Sequence, residues 1–205
     1  MASHHDVTDL TADEALRQLV EGNERFLLGK ATPTQFCPER AADLTQSQKP
    51  FATILGCSDS RVPPEQVFDA GPGELFVIRV AGNVLSPEIA GSLQYAGSHL
   101  QTPLFVVMGH EGCGAVEAAL AAKHEGAQFR SRIQALLETI TPGLSEPDPS
   151  RAPEQQLSRA VEDNVRWTVH QVVDSPEGRA RVAEGRVKII GAVYEIGTGR
   201  VRLLA

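Results

Sequence analysis

The sequence predicts an α/β protein: a three-layer fold around a mostly parallel sheet of four strands with a short antiparallel edge strand, plus an N-terminal helix. Three observations carry this expectation. Short, almost wholly apolar runs recur at 51–55 (FATIL), 75–80 (LFVIRV), 104–108 (LFVVM) and 187–194 (VKIIGAVY), as strands buried on both faces require. Segments of helical apolar spacing separate them, the alternation of a parallel sheet with crossover helices. The ending YEIGTGRVRLL reads as a strand end, a Gly-containing turn and an antiparallel edge strand.

Each element has its own signal. Thr11 and Glu14 stand at capping-box spacing and Leu16, Leu19, Val20 and Leu27 share one face, so 11–28 is expected to form the leading helix. Over 87–100, Ile89, Leu93, Ala96 and Leu100 repeat at helical spacing. The stretch 114–123 is rich in Ala, and 155–173 carries Leu157, Val161, Val165 and Val169 on one face. TPGLSEPDPSRAPE (141–154) is a Pro-rich surface connection, with too little chain after it for a second core. A chain of 205 residues with 41% hydrophobic content can bury one sizeable core, so a single domain over 1–205 is expected, residues 1–10 forming a disordered start.

Composition narrows the function. A net charge of −7 without any basic stretch argues against nucleic acid and for a small partner. No apolar run approaches the roughly 18 to 20 residues of a membrane span. The opening MASHHDVTDLTADE lacks the charged start and apolar stretch of a signal peptide, so a cytoplasmic location is expected. Three cysteines, Cys37, Cys57 and Cys113, are too few for a disulfide scaffold and fit thiolates serving as metal ligands or nucleophiles in a reducing compartment. Cys37, beside Pro38, reads as a spare thiol, and His99, His124 and His170 read as surface residues.

The chemistry concentrates at two strand ends. ILGCSDSRV (54–62) delivers a thiol, a carboxylate and a guanidinium within five residues: Cys57, Asp59 and Arg61. VVMGHEGCGAV (106–116) ends an apolar strand in Gly109 and follows it with His110, Cys113 and a Gly-flanked helix start. In an open parallel sheet the carboxyl ends of strands form the crevice where sites are built. If the two strands are neighbours, Cys57, His110 and Cys113 converge there. Two thiolates and one imidazole suit Zn2+, and three protein ligands leave the fourth position open, as in a catalytic zinc site. Asp59 is close enough to orient a metal-bound water or to take the fourth position itself, and Arg61 can hold that carboxylate by paired charge-assisted hydrogen bonds. Other readings of these residues remain: an activated Cys113 nucleophile at a helix start, a non-catalytic zinc module, and a dinucleotide turn in GCGAVE, where Glu117 replaces the third glycine.

Cys57-x-Asp59-x-Arg61 with His110-x-x-Cys113, extended by SDSRVPPE, PGELFVIR, GSLQYA and GHEGCGA, makes residues 51–120 resemble the β-class carbonic anhydrases. The resemblance implies an enzyme that reversibly hydrates carbon dioxide to bicarbonate and a proton. It implies one Zn2+ per subunit, held by Cys57, His110 and Cys113. Asp59 and Arg61 would form the catalytic dyad, with Asp59 as a fourth zinc ligand in a closed state that some members adopt. Gln48 would hydrogen-bond substrate, and Phe76 and Tyr95 would line the cleft of the adjoining subunit of a homodimer or an assembly of dimers. Backbone donors near Gly114 would meet the product's oxygens. Two positions depart from family patterns. Ile54 stands where some bacterial members carry the tryptophan of a regulatory bicarbonate site, which argues against that site, and RVAGN (79–83) puts the small Ala81 at a pocket position often filled by a bulkier residue. Hydrolases of carbonyl sulfide and carbon disulfide share the architecture, so the resemblance leaves the choice among these substrates open.

Overall fold

Strands β1 (Ala52–Gly56), β2 (Leu75–Arg79), β3 (Leu104–His110), β4 (Lys188–Tyr194) and β5 (Val201–Leu204) form one sheet in the order β2-β1-β3-β4-β5. The computed structural model describes residues 10–32, 41–42 and 44–204; Cys37 and the start through residue 9 lie outside them. The first four strands run parallel, and β5 pairs antiparallel with β4 through Tyr194 and Val201, as the sequence predicts. Every residue of the central strands β1 and β3 is buried, whereas the edge strand β2 is largely half-buried.

The period of two along each strand divides the core. Leu55, Ile78, Phe105, Val107 and Val193 face one layer, where they meet Val116 and Ala119 of α4 (Gly114–His124), Leu137 and Ile140 of α5 (Ser131–Ile140), and Val161 and Val165 of α6 (Pro153–Asp174). Ala52, Ile54, Leu104, Val106, Met108 and Ala192 face the other, against Ala15 and Leu19 of α1 (Ala12–Leu27) and Val67 of α2 (Pro64–Val67). The sheet is thus the middle of three layers. The described residues also form α3 (Pro87–Tyr95), which runs into a π-helical turn at Ala96–Leu100, and α7 (Pro176–Ala183).

The expected capping box starts α1: the Glu14 N–H donates to Thr11 Oγ1 and the Thr11 N–H to Glu14 Oε2 at 2.8 Å. Its buried face is rotated from the expected one, however. Ala15, Leu19, Gly22 and Asn23 are buried, and Val20 is exposed. The reason is close approach: a Cβ on Gly22 would stand 1.9 Å from the Phe68 carbonyl oxygen, so the face that meets the chain below keeps Leu19 and the half-buried Leu16, takes in Ala15, Gly22 and Asn23, and turns Val20 out. Asn23 uses this proximity. Its amide donates to the carbonyls of Val67 (3.1 Å) and Gly199 (2.9 Å) and accepts from the Val201 N–H (2.9 Å), tying α1 to α2 and to the β4-β5 turn.

The stretches between 125 and 140 and between 175 and 186 carry α5 and α7, two helices beyond those expected from the sequence. Ile133, Leu136, Leu137 and Ile140 do repeat at helical spacing, but α5 opens on Ser131 at φ +59 without a side-chain cap, so its start carries no signal.

Helix α6 lies hard against the sheet. A Cβ on Gly109 would meet Val165 Cγ2 at 2.6 Å, and one on Gly191 would meet Val165 Cγ1 at 2.9 Å, so two glycines on neighbouring strands admit one valine. This sets the depth of α6 behind β3 and β4. Asn23→Ala removes three hydrogen bonds and leaves two carbonyls and one N–H unpartnered; we expect a loss of about 2 to 4 kcal/mol, measured by urea unfolding.

Candidate metal centre

Strand order creates the site. The chain leaves β1 toward β2 on one side and returns to β3 on the other, so the sheet's switch point lies between β1 and β3, where their carboxyl ends diverge. Gly56 pairs with Met108, which puts Cys57, the first residue beyond β1, beside the last residues of β3. β3 extends two residues further than the apolar run alone indicates: His110 pairs with Tyr194, and the Glu111 N–H donates to the Tyr194 carbonyl at 3.0 Å. His110 is therefore held on the strand itself. Three residues on, Cys113 occupies the N-cap of α4.

The three side chains meet. Cys57, His110 and Cys113 are buried, and their ligand atoms lie within 4.8 Å of one another. Such a separation suits one ion at zinc's bond lengths, about 2.3 Å to sulfur and about 2.0 Å to nitrogen. His110 is 0% exposed, and its Nδ1 lies 2.8 Å from the Glu111 carbonyl oxygen. Since a carbonyl only accepts, Nδ1 carries the proton, and Nε2 presents a bare lone pair with no hydrogen-bond partner. A buried nitrogen in that state is expensive unless a cation or donor completes it.

The electrostatics ask for a cation. The Cys57 thiol is held far below its ordinary range, first because the Cys113 S–H donates to it, with His110 and the Gly82 N–H adding to the effect. Cys113 is pushed up in turn by the same contact and by burial, so the isolated pair keeps one proton. Burial alone would lower the His110 imidazole, yet the negative charge of the nearby Cys57 sulfur outweighs it and raises it. One thiolate, one thiol and the buried Nε2 lone pair therefore line a negatively charged pocket, and these residues fit zinc.

Asp59 and Arg61 form the expected pair at the mouth. Arg61 donates from Nε to Asp59 Oδ1 at 2.9 Å, from Nη2 to Oδ2 at 2.8 Å, and from its backbone N–H to Oδ1 at 2.9 Å. These bonds hold the Asp59 carboxyl well below the usual carboxylate range. Asp59 Oδ2 lies 3.8 Å from His110 Nε2, so the carboxylate borders the ligand atoms while engaged with Arg61.

Of the other residues singled out in the sequence, Ala81 opens the 3₁₀ turn Ala81–Asn83 that passes Cys57, and Gly114 opens α4 directly after Cys113. Gln48 is exposed in the segment before β1. Phe76 and Tyr95 pack on each other with ring centroids 6.1 Å apart, Tyr95 being 45% exposed. Among the described residues, no hydrogen bond or ring contact joins these three to the cluster. His124, expected at the surface, is largely covered, with its Nδ1 4.0 Å from a Glu146 carboxylate oxygen.

Two contributors were missed. Arg79, at the end of β2, donates to the carbonyls of Cys57 (2.9 Å) and Asp59 (2.5 Å) and so braces the loop that carries ligand and carboxylate. Its place after LFVI, with Gly56 as its β1 partner, was the signal that could have found it. The Gly82 N–H, 3.4 Å from the Cys57 sulfur, had no sequence signal.

Fold and site together define a metalloenzyme architecture: an open α/β sheet with a three-ligand thiolate and imidazole centre at its switch point. Comparison with known proteins gives the family. A family model described as carbonic anhydrase matches residues 52–201. Carbonic anhydrase 2 of Mycobacterium tuberculosis is 38% identical over 194 residues, 92% of this chain and 91% of its own. The carbonic anhydrase of Mycolicibacterium smegmatis is 38% identical over 193 residues, with coverage of 92% and 91%. Among solved structures, a Coccomyxa β-carbonic anhydrase in complex with acetazolamide superposes with a TM-score of 0.71 at 29% identity, covering 92% of this chain and 86% of that one. A tetrameric β-carbonic anhydrase of Sordaria macrospora reaches 0.75 at 24% identity, with coverage of 93% and 96%, a likeness of fold. The chain belongs to the β-class carbonic anhydrases, zinc enzymes that interconvert carbon dioxide and bicarbonate.

Zinc present at a thousand times its Kd would stabilise the folded state by about 4 kcal/mol. Chelation is therefore expected to lower Tm by roughly 8 to 16 °C for a chain of this size, read by scanning calorimetry with and without chelator. Replacement of Cys57 or Cys113 by Ser should abolish that difference.

Proposed function

We propose that the chain hydrates carbon dioxide with Cys57, His110 and Cys113 holding one Zn2+ and with Asp59 and Arg61 as the catalytic dyad. The observation that supports this most directly is the bare, buried Nε2 of His110 between two cysteine sulfurs, with an ionised carboxylate at its edge. Zinc in such a set supplies Lewis acidity that makes water a nucleophile near neutral pH. The chain's own groups do the rest. Asp59 accepts a hydrogen bond from the attacking water and aims its lone pair at the substrate carbon. Arg61 holds that carboxylate by three bonds, which fix its direction and favour its ionised form. Gln48, Ala81 and backbone donors near Gly114 are assigned to the substrate and its developing oxygens.

The activity should rise with pH. Two thiolates offset the charge of the ion more than neutral histidines do, so the rise is expected later than the reference value of about 7, through about 7.5 to 9. Asp59 is not the source of this limb. Its pKa in the folded protein lies below the unfolded value, so the carboxylate, and the stability it adds, is present at neutral and alkaline pH and is lost only as pH falls through that depressed value. A flat profile between pH 6.5 and 9 would contradict the mechanism.

We place the working enzyme as a homodimer or an assembly of dimers. Phe76 on the edge strand β2 and the exposed Tyr95 offer an aromatic face to a second copy, where they would line the adjoining subunit's cleft. Among the described residues no helix is long and apolar enough to cross a membrane, and we assign the chain to the cytoplasm.

Stopped-flow hydration of carbon dioxide by the zinc-loaded protein at pH 8.5 to 9 tests the chemistry. Asp59→Asn should lower kcat by roughly 10² or more while leaving zinc content intact. A variant within threefold of the parent would remove Asp59 from the mechanism. Absence of turnover at full zinc occupancy would move the substrate to a sulfur analogue such as carbonyl sulfide. Sedimentation equilibrium should give a dimer or tetramer at micromolar concentration; a monomer that retains full activity would refute the shared cleft.

A further inference from the structure

The metal centre has a support reaching in from α6, in the same helical layer as α4 and α5. Asn164, in the middle of α6 and 1% exposed, donates from Nδ2 to the Gly82 carbonyl at 2.8 Å. Gly82 in turn donates its N–H to the Cys57 sulfur at 3.4 Å. The turn that makes this possible is strained: Gly82 lies at φ +69 and Asn83 at φ +43, two consecutive residues in the left-handed region. A Cβ on Gly82 would stand 2.8 Å from Ile140 Cδ1 and 3.3 Å from Ala115 Cβ, so only glycine passes between α4 and α5 here.

Core packing does not account for Asn164. Its Oδ1 is buried without a hydrogen-bond partner, and so is Thr168 Oγ1 one helical turn further along α6. A half-satisfied buried amide is a net cost to a core, and an apolar residue of similar size would avoid it. What Asn164 does supply is a hold on the Gly82 carbonyl at a fixed depth, since the neighbouring Val165 is seated against Gly109 and Gly191.

We propose that Asn164 is a positioning residue of the metal centre: it clamps the strained Gly82 turn so that the Gly82 N–H stays aimed at the Cys57 sulfur and moderates that sulfur's donation to the metal. A hydrogen bond to a thiolate withdraws electron density from it, and partners of this kind orient the ligands they touch. The proposal rests on Cys57 being a metal ligand.

The test uses the full-length protein loaded with cobalt in place of zinc, comparing the parent, Asn164→Leu, Asn164→Ser and Thr168→Val. A sulfur that loses its N–H partner gives up an electron more readily, so the thiolate-to-cobalt absorption band should move to longer wavelength in both Asn164 variants. Zinc affinity in a chelator competition should fall about 10-fold or more in the same two proteins. Thr168→Val, which removes a buried hydroxyl without a partner, should leave band and affinity at parental values whatever it does to Tm. A band that stays in place in the Asn164 variants overturns the proposal even if they are less stable. Should neither variant fold, the parent loaded with cadmium-113 decides: a scalar coupling between the metal and the Gly82 amide proton supports the clamp, and its absence overturns it. A parental cobalt spectrum with no thiolate band would instead overturn the ligand assignment of the cysteines.

Discussion

Two cysteine sulfurs and the unprotonated nitrogen of an imidazole, buried within 4.8 Å of one another, cannot be left without a positive partner. The surrounding structure answers that constraint. The Glu111 carbonyl keeps the imidazole proton on Nδ1 and so leaves Nε2 for the site. The Gly82 N–H approaches the Cys57 sulfur, and Arg79 lies close by without touching the ligand atoms, binding the carbonyls of Cys57 and Asp59 instead. A cation at the centre thus meets donors already turned inward, and the reorganisation cost of binding it is small.

The sheet supplies the rest. Parallel strands with a reversal between β1 and β3 bring the residue after one strand and the last residue of the other to the same crevice, although Cys57 and His110 are far apart in sequence. Their relative placement depends on backbone pairing rather than on loop conformation, which is why a centre on an otherwise irregular rim is sharply defined. Gly109 extends the same logic to the layer behind, because the absence of a side chain there lets Val165 bring α6 up to the sheet.

This division explains what the sequence disclosed. The strands were legible because β1 and β3 are buried on both faces and must be apolar throughout, and the ligands because their spacing at two strand ends is short-range. The dyad was legible for the same reason, Arg61 being two residues from Asp59. The buried face of α1 was legible in part: Leu16 and Leu19 do pack on the core, but Gly22 against the Phe68 carbonyl turns the helix so that Val20 faces solvent. Asn164 was invisible: its partner is 82 residues away, and a polar residue in an amphipathic helix carries no mark of the carbonyl it will meet. Gln48, Phe76 and Tyr95 were named through family resemblance, and the roles given to Phe76 and Tyr95 require a second copy of the chain.

The order of burial across the site carries a final consequence. The His110 side chain is fully buried, Asp59 is 19% exposed and Arg61 55%, so charge is layered from ligands to carboxylate to guanidinium to solvent. The carboxylate at the boundary could in principle swing, since exposed ion pairs are weak. Here it is restrained twice over. Arg61 grips it from the same loop, at little entropic cost because the two residues are nearly adjacent, and Arg79 grips the backbone beneath it from another strand. A group whose task is to aim a lone pair needs a fixed direction more than a high binding energy, and Arg61 in the loop and Arg79 from β2 provide it.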